Sequence, residues 1–84
     1  MTTNELKKII EYNGVDLISF LPHFDNDQKT VWEVFINGSR LVSSTGEFLH
    51  NSSRDCANKT FTSLDRAFAA IKKLGYEGKI DIDG

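Results

Sequence analysis

The strongest pattern in the chain is an apolar stripe at helical spacing within residues 59–78. Its members recur every three or four residues, as one face of a helix requires: Leu64, Ala67, Phe68, Ile71 and Leu74. Thr62 or Ser63 can cap the first turn, and Thr62–Asp65 resembles a capping box with Asp in place of Glu. Gly75 stands where a helix end favours positive φ. The pattern predicts an amphipathic helix that ends just before Gly75.

A second, shorter stripe opens the chain. Thr2–Glu5 has the residue types of a capping box, and Leu6, Ile9 and Ile10 follow on one face. Asn13-Gly14 can end a helix in a left-handed turn. We therefore predict a short helix over residues 3–12, which needs a docking surface because so short a helix does not persist alone.

The middle of the chain is rich in β-forming residues. Residues 15–24 carry apolar side chains on both faces, and Pro22 places that strand at an edge or a bend. Residues 30–45 predict a hairpin, because Asn37-Gly38 is a preferred pair for a type I′ turn. That turn would set Ile36 opposite Ser39, Val34 opposite Leu41, Trp32 opposite Ser43, Phe35 opposite Arg40 and Glu33 opposite Val42. The predicted core face then carries Trp32, Val34, Ile36 and Leu41, with Val31 and Phe35 on the other face.

Shorter segments complete the predicted fold. A short strand is expected around Phe48, a polar surface loop over residues 50–58, a strand at residues 59–61 and an edge strand at residues 79–83. The order is α-β-β-β-(β)-α-β in a single domain, residues 1–84. The predicted class is α+β, an antiparallel sheet of three to five strands with two helices packed on one face.

Composition argues against several classes of protein but does not identify a function. The 84 residues carry a formal net charge of −2 with both signs interspersed, which gives no long-range attraction for nucleic acid or an anionic membrane. One cysteine excludes an intrachain disulfide framework. No apolar run resembles a signal peptide or a membrane span. We expect a cytoplasmic protein with no membrane partner.

No residue cluster predicts catalysis or a bound cofactor. The candidate metal ligands His23, His50, Asp55 and Cys56 lack the close pairs that zinc sites use. Cys56 has no activating partner that its spacing identifies, and no Gly-rich phosphate loop is present. We predict a protein that is not an enzyme and has no metal and no cofactor.

Two resemblances bear on function. The order α-β-β-β-α is also that of double-stranded-RNA-binding domains, but their last helix opens with phosphate-binding lysines where this chain has Ser63–Arg66. The W-x-V-x-I-N-G segment, F-T-S-L-D-R-A and the terminal L-G-Y-x-G-K-I resemble short accessory proteins of plasmids and phages over residues 31–80. The second resemblance implies a binding or regulatory role in a mobile element.

The sequence therefore favours a small binding or regulatory protein that acts through protein–protein contacts and forms a homodimer. The predicted contact surface is the sheet face with Phe35, Arg40 and Val42, or the loop at residues 50–58. The alternative is a nucleic-acid-binding module on a basic edge, and its residues would be Arg40, Arg54, Lys59 and Arg66. A steep loss of affinity with salt would distinguish the alternative.

Overall fold

A computed structural model describes residues 1–38, 46–51 and 57–83. Along the chain the elements are α1 (Thr3–Glu11), β1 (Leu17–Phe24), β2 (Thr30–Asn37), β3 (Glu47–Phe48), β4 (Thr60–Phe61), α2 (Leu64–Lys73) and β5 (Ile80–Ile82). The α+β class and the predicted element order are confirmed.

The sheet is mixed rather than purely antiparallel, which corrects one prediction. Its order is β3-β2-β1-β5, and β4 also pairs with β2. β5 runs parallel to β1, with Ile80 beside Ile18 and Ile82 beside Phe20. β4 and β5 run in the same direction because α2 connects them as a helical crossover, which carries the chain across the sheet without reversing it.

The core lies between one face of the sheet and the two helices. Its fully buried side chains come from five different segments: Leu6, Ile18, Phe20, Val34, Ile36, Leu49, Ala67 and Ile71. Val34 and Ile36 confirm the predicted inner face of β2, and Trp32 is partly buried against the same cluster. Leu41, the fourth predicted member, lies outside the described residues.

Pro22 sits where β1 becomes an edge. β5 ends its pairing with β1 at Phe20, whose carbonyl accepts a hydrogen bond from the Asp83 N–H at 3.0 Å. Pro22 lies two residues further along β1, so its backbone nitrogen points toward the same edge of the strand as the backbone groups of Phe20. Its missing N–H therefore faces a side of β1 on which no described strand pairs, as the sequence predicted.

The predicted cap of α1 is confirmed. The Glu5 N–H donates to the Thr2 hydroxyl at 3.3 Å, and the Thr2 N–H donates to the Glu5 carboxylate at 3.3 Å. The Thr2 hydroxyl also donates to the Glu5 carboxylate at 3.0 Å, and this bond, followed by the one from the Thr2 N–H, holds the pKa of Glu5 below its ordinary value. At the other end Asn13 has a φ of 55°, the left-handed conformation predicted there.

The cap of α2 lies one residue later than the predicted capping box. Ser63 is the cap, and its hydroxyl accepts from the Arg66 N–H at 3.2 Å. Because the third helical position is then Arg66 rather than Asp65, the capping box over Thr62–Asp65 is wrong. The predicted left-handed glycine is confirmed, since Gly75 has a φ of 92°.

The predicted type I′ hairpin is also wrong. β1 occupies one edge of β2, while β3 and β4 occupy the other, so Phe35 has Ser19 on one side and Phe48 on the other. Neither Asn37 nor Gly38 has the positive φ that a type I′ turn needs. Gly38 is instead required by space, because a Cβ there would collide with the carbonyl group of Gly14. Residues 39–45 lie outside the described part of the chain.

Candidate ligand groove

The structure separates the predicted contact residues rather than joining them. Phe35 lies on the sheet face turned away from the helices, because its neighbours in β2 point into the core. Phe35 is half-buried, and the centroid of its ring lies 5.0 Å from the centroid of the Phe48 ring. Arg66 is exposed in the first turn of α2, on the opposite side of the sheet. Arg40, Val42 and Arg54 lie outside the described residues.

The predicted loop at residues 50–58 is closed at its base. His50 forms an antiparallel bridge with Asn58, and the Asn51 N–H donates to the Ala57 carbonyl at 3.1 Å. Asp55 and Cys56 lie outside the described residues. Within residues 1–38, 46–51 and 57–83, no group of three or more His, Cys, Asp or Glu side chains is arranged to hold a metal ion.

Lys59 is the predicted contact residue that lines a concave site. The site is a groove of about 380 Å³ between α1 and α2. Its floor is apolar and consists of Leu49, Phe61, Ala70, Ile71 and Leu74. Its rim is polar and consists of Thr3, Asn4, Lys7, Lys59 and Lys73. We call this site the lysine groove.

Helical spacing explains how the two walls of the lysine groove arise. On α1, Thr3 and Lys7 are four residues apart and therefore lie on one side of the helix. On α2, Ala70, Lys73 and Leu74 follow the same rule. The floor is closed from below by Phe61 of β4 and by Leu49, which directly follows β3.

The charge of the lysine groove is opposite in sign to that of the chain. Three ammonium groups and no carboxylate of the described residues line it, whereas the whole chain has a net charge of −2. Lys7, Lys59 and Lys73 form no ion pair with any carboxylate of the described residues. Glu5, two residues before Lys7 in α1, is instead bonded to Thr2. The groove is therefore a basic site with an apolar base.

Lys59 is held in place by the aromatic ring of the floor. Its ammonium nitrogen lies 5.8 Å from the centroid of the Phe61 ring. A cation over an aromatic face is attracted by the ring quadrupole, an interaction worth roughly 0.5–1 kcal/mol at an exposed site. Lys59 thus keeps its charge at the rim while its side chain covers part of the apolar floor.

A second cavity of about 300 Å³ lies beside Tyr76 and is lined by Ile10, Asn13, Val15 and residues 75–78. The Tyr76 hydroxyl donates to the Lys79 carbonyl at 2.6 Å. Burial raises the pKa of Tyr76, and the nearby Asp16 carboxylate raises it further. This hydroxyl therefore acts as a structural donor that ties the end of α2 to the start of β5.

Comparison with known protein families, curated proteins and solved structures gives no match for this chain. Among the described residues, neither helix is long and apolar enough to cross a membrane. Function must therefore be inferred from the chemistry of the lysine groove itself.

Proposed function

We propose that this chain is a small, non-enzymatic binding protein whose lysine groove receives an acidic, partly apolar segment of a partner protein. The observation that carries the proposal is a set of three lysines around an apolar floor, with no carboxylate among the described residues that line the groove. An apolar side chain of the partner would enter between α1 and α2, and neighbouring carboxylates would meet the ammonium groups.

The two parts of the groove contribute differently to binding. Burial of apolar surface stabilises a complex by roughly 25 cal/mol per Å², so the floor supplies most of the affinity. An exposed ion pair contributes only about 0.2–1 kcal/mol. The lysines therefore act mainly on partner choice and association rate, because they attract acidic segments and repel basic ones.

Nucleic acid is the alternative ligand for the same lysines. Lys59 belongs to the basic set predicted from the sequence, and Lys7 and Lys73 extend it. A phosphate backbone, however, gains nothing from an apolar floor, and the net charge of −2 does not attract it from a distance. The groove therefore favours a protein segment. A cytoplasmic location and a role in a mobile element remain predictions from the sequence.

The test is fluorescence anisotropy with three labelled probes: an amphipathic Glu/Leu peptide, the same peptide with Lys for Glu, and a single-stranded oligonucleotide. We expect only the Glu/Leu peptide to bind. Lys7→Glu combined with Lys73→Glu should weaken that binding by about tenfold or more, because two attractive pairs become repulsive.

The matched control replaces two other lysines of the same two helices with glutamate. Lys8 and Lys72 are exposed, adjacent in sequence to Lys7 and Lys73, and absent from the groove lining. Lys8→Glu combined with Lys72→Glu should leave affinity within about threefold of the parent, because these exposed side chains do not line the groove and solvent and salt screen their charges. Equal weakening by both double variants, or binding of the oligonucleotide alone, would overturn the proposal.

A further inference from the structure

We propose that two copies of this chain join antiparallel along β5, so that their sheets become one. The proposal rests on β5 alone and is independent of the lysine groove. β5 is the edge of the sheet next to β1, and no described strand pairs with its outer side. Such an edge is a template for pairing with another chain.

The ladder between β1 and β5 shows which backbone groups point outward. The Ile18 N–H donates to the Lys79 carbonyl at 3.2 Å, and the Asp83 N–H donates to the Phe20 carbonyl at 3.0 Å. In this parallel register the odd-numbered residues of β5 bond to β1. The N–H and C=O groups of Ile80 and Ile82 therefore point away from the sheet and are available to a new strand.

The side chains of β5 alternate in a way that suits a copy of itself. Ile80 and Ile82 lie on the helix side of the sheet, and Ile82 is 46% exposed. The neighbouring Lys79 and Asp81 are exposed and lie on the opposite side. Pairing with a second copy would bring apolar side chains together on one face and charged side chains together on the other.

Charge selects one register for that pairing. With Ile80 opposite Ile80 of the second copy, Lys79 of each chain lies opposite Asp81 of the other, which makes two opposite-charge pairs. A shift that sets Ile80 opposite Ile82 pairs Lys79 with Asp83 instead, but it also brings the two Asp81 carboxylates face to face in the middle of β5, and like charges directly opposite are destabilising. The first register sets no like charges opposite one another within β5, because Glu77, which would face Asp83, lies outside the strand. The favoured register is two-fold symmetric, so it closes as a dimer and does not extend into a fibre.

This dimer differs in position from the one expected from sequence, which used the face with Phe35. Phe35 is already paired with Phe48 across β2 and β3. The β5 edge also lies away from the residues that line the lysine groove, so a failure of one proposal does not entail failure of the other.

Sedimentation velocity over a range of concentrations tests the dimer. The parent chain should show a monomer–dimer equilibrium. Lys79→Asp and Asp81→Lys, each alone, should raise the dimer dissociation constant by about tenfold or more, because each places like charges opposite one another. The double variant Lys79→Asp/Asp81→Lys restores both opposite-charge pairs and should return the constant to within about threefold of the parent.

A second variant tests the backbone. Ile82→Pro removes an N–H that makes no bond within the described chain, and proline is tolerated on an edge strand. The variant should keep the circular dichroism spectrum of the parent and sediment as a monomer. A parent chain that stays monomeric at high concentration, or a double charge variant that does not recover dimerisation, would overturn the proposal.

Discussion

The rings of Phe20 and Phe68 meet edge to face, with 5.1 Å between their centroids. Phe20 belongs to β1 and is completely buried, whereas Phe68 belongs to α2 and is partly buried. Edge-to-face pairs add roughly 0.5–1.5 kcal/mol to the effect of burial. This contact is one of the direct links between α2 and the centre of the sheet.

Replacing the buried Phe20 ring with a smaller aliphatic side chain should therefore destabilise the whole domain. We expect Phe20→Leu to lower the free energy of unfolding by about 1–3 kcal/mol, as measured by urea denaturation. Phe24→Leu is the matched control on the same strand, because Phe24 is 70% exposed. Its effect should stay within about 0.5 kcal/mol. Equal losses in the two variants would contradict the role assigned to the pair.

The start of α2 can be located by a pair of alanine substitutions. Ser63→Ala removes the hydroxyl that accepts from the Arg66 N–H and should cost about 1 kcal/mol of stability. Thr62→Ala should have little effect, because Thr62 is exposed and makes no side-chain hydrogen bond to a described residue. Thermal unfolding measures the stability of both variants. A larger loss of stability for Thr62→Ala would show that Thr62 caps α2 and that Ser63 does not.

Two glycines should respond to alanine for different reasons. Gly75→Ala meets no atom within 4 Å but must keep a φ of 92°, so it should cost about 1–2 kcal/mol. Gly38→Ala should cost about 3 kcal/mol or more, because its Cβ collides with the backbone of Gly14. Urea midpoints of the two variants measure the difference. A smaller loss for Gly38→Ala than for Gly75→Ala would contradict the close approach of the two backbones.

Tyr76 should couple stability to alkaline pH. Burial, and then the charge of Asp16, raise its pKa in the folded state above the ordinary value of about 10. The neutral phenol is thus favoured by folding. Its stabilisation is complete below the unfolded-state pKa and is lost as pH rises through the folded-state pKa. Ultraviolet titration of the phenolate should follow this ionisation in the folded protein.

Two variants separate the causes of that effect. Asp16→Asn removes the carboxylate charge and should move the pKa of Tyr76 back toward its ordinary value. Tyr76→Phe removes the bond to the Lys79 carbonyl and should cost about 1 kcal/mol at neutral pH. It should also reduce the loss of stability between neutral and alkaline pH. A Tyr76 pKa that does not respond to Asp16→Asn would show that burial alone raises it.

The helices and their caps could be predicted because their signals are local. Thr2 and Glu5 bond across three residues, and Ser63 bonds to Arg66 across the same distance. Gly75 ends α2 through its own backbone conformation. Within that local range the one error was a shift of a single residue in the cap of α2, because Thr62 and Ser63 are chemically equivalent candidates.

Strand pairing and the lysine groove depended on the tertiary structure. The local turn preference of Asn37-Gly38 was overridden because distant segments pair with both edges of β2. Lys59 was a candidate from sequence, but Lys7 and Lys73 carry no signal until the fold sets α1 beside α2. The sequence by itself determined where helices begin and end, since those bonds span a few residues. Only long-range packing decided which strands pair and which charges share a site.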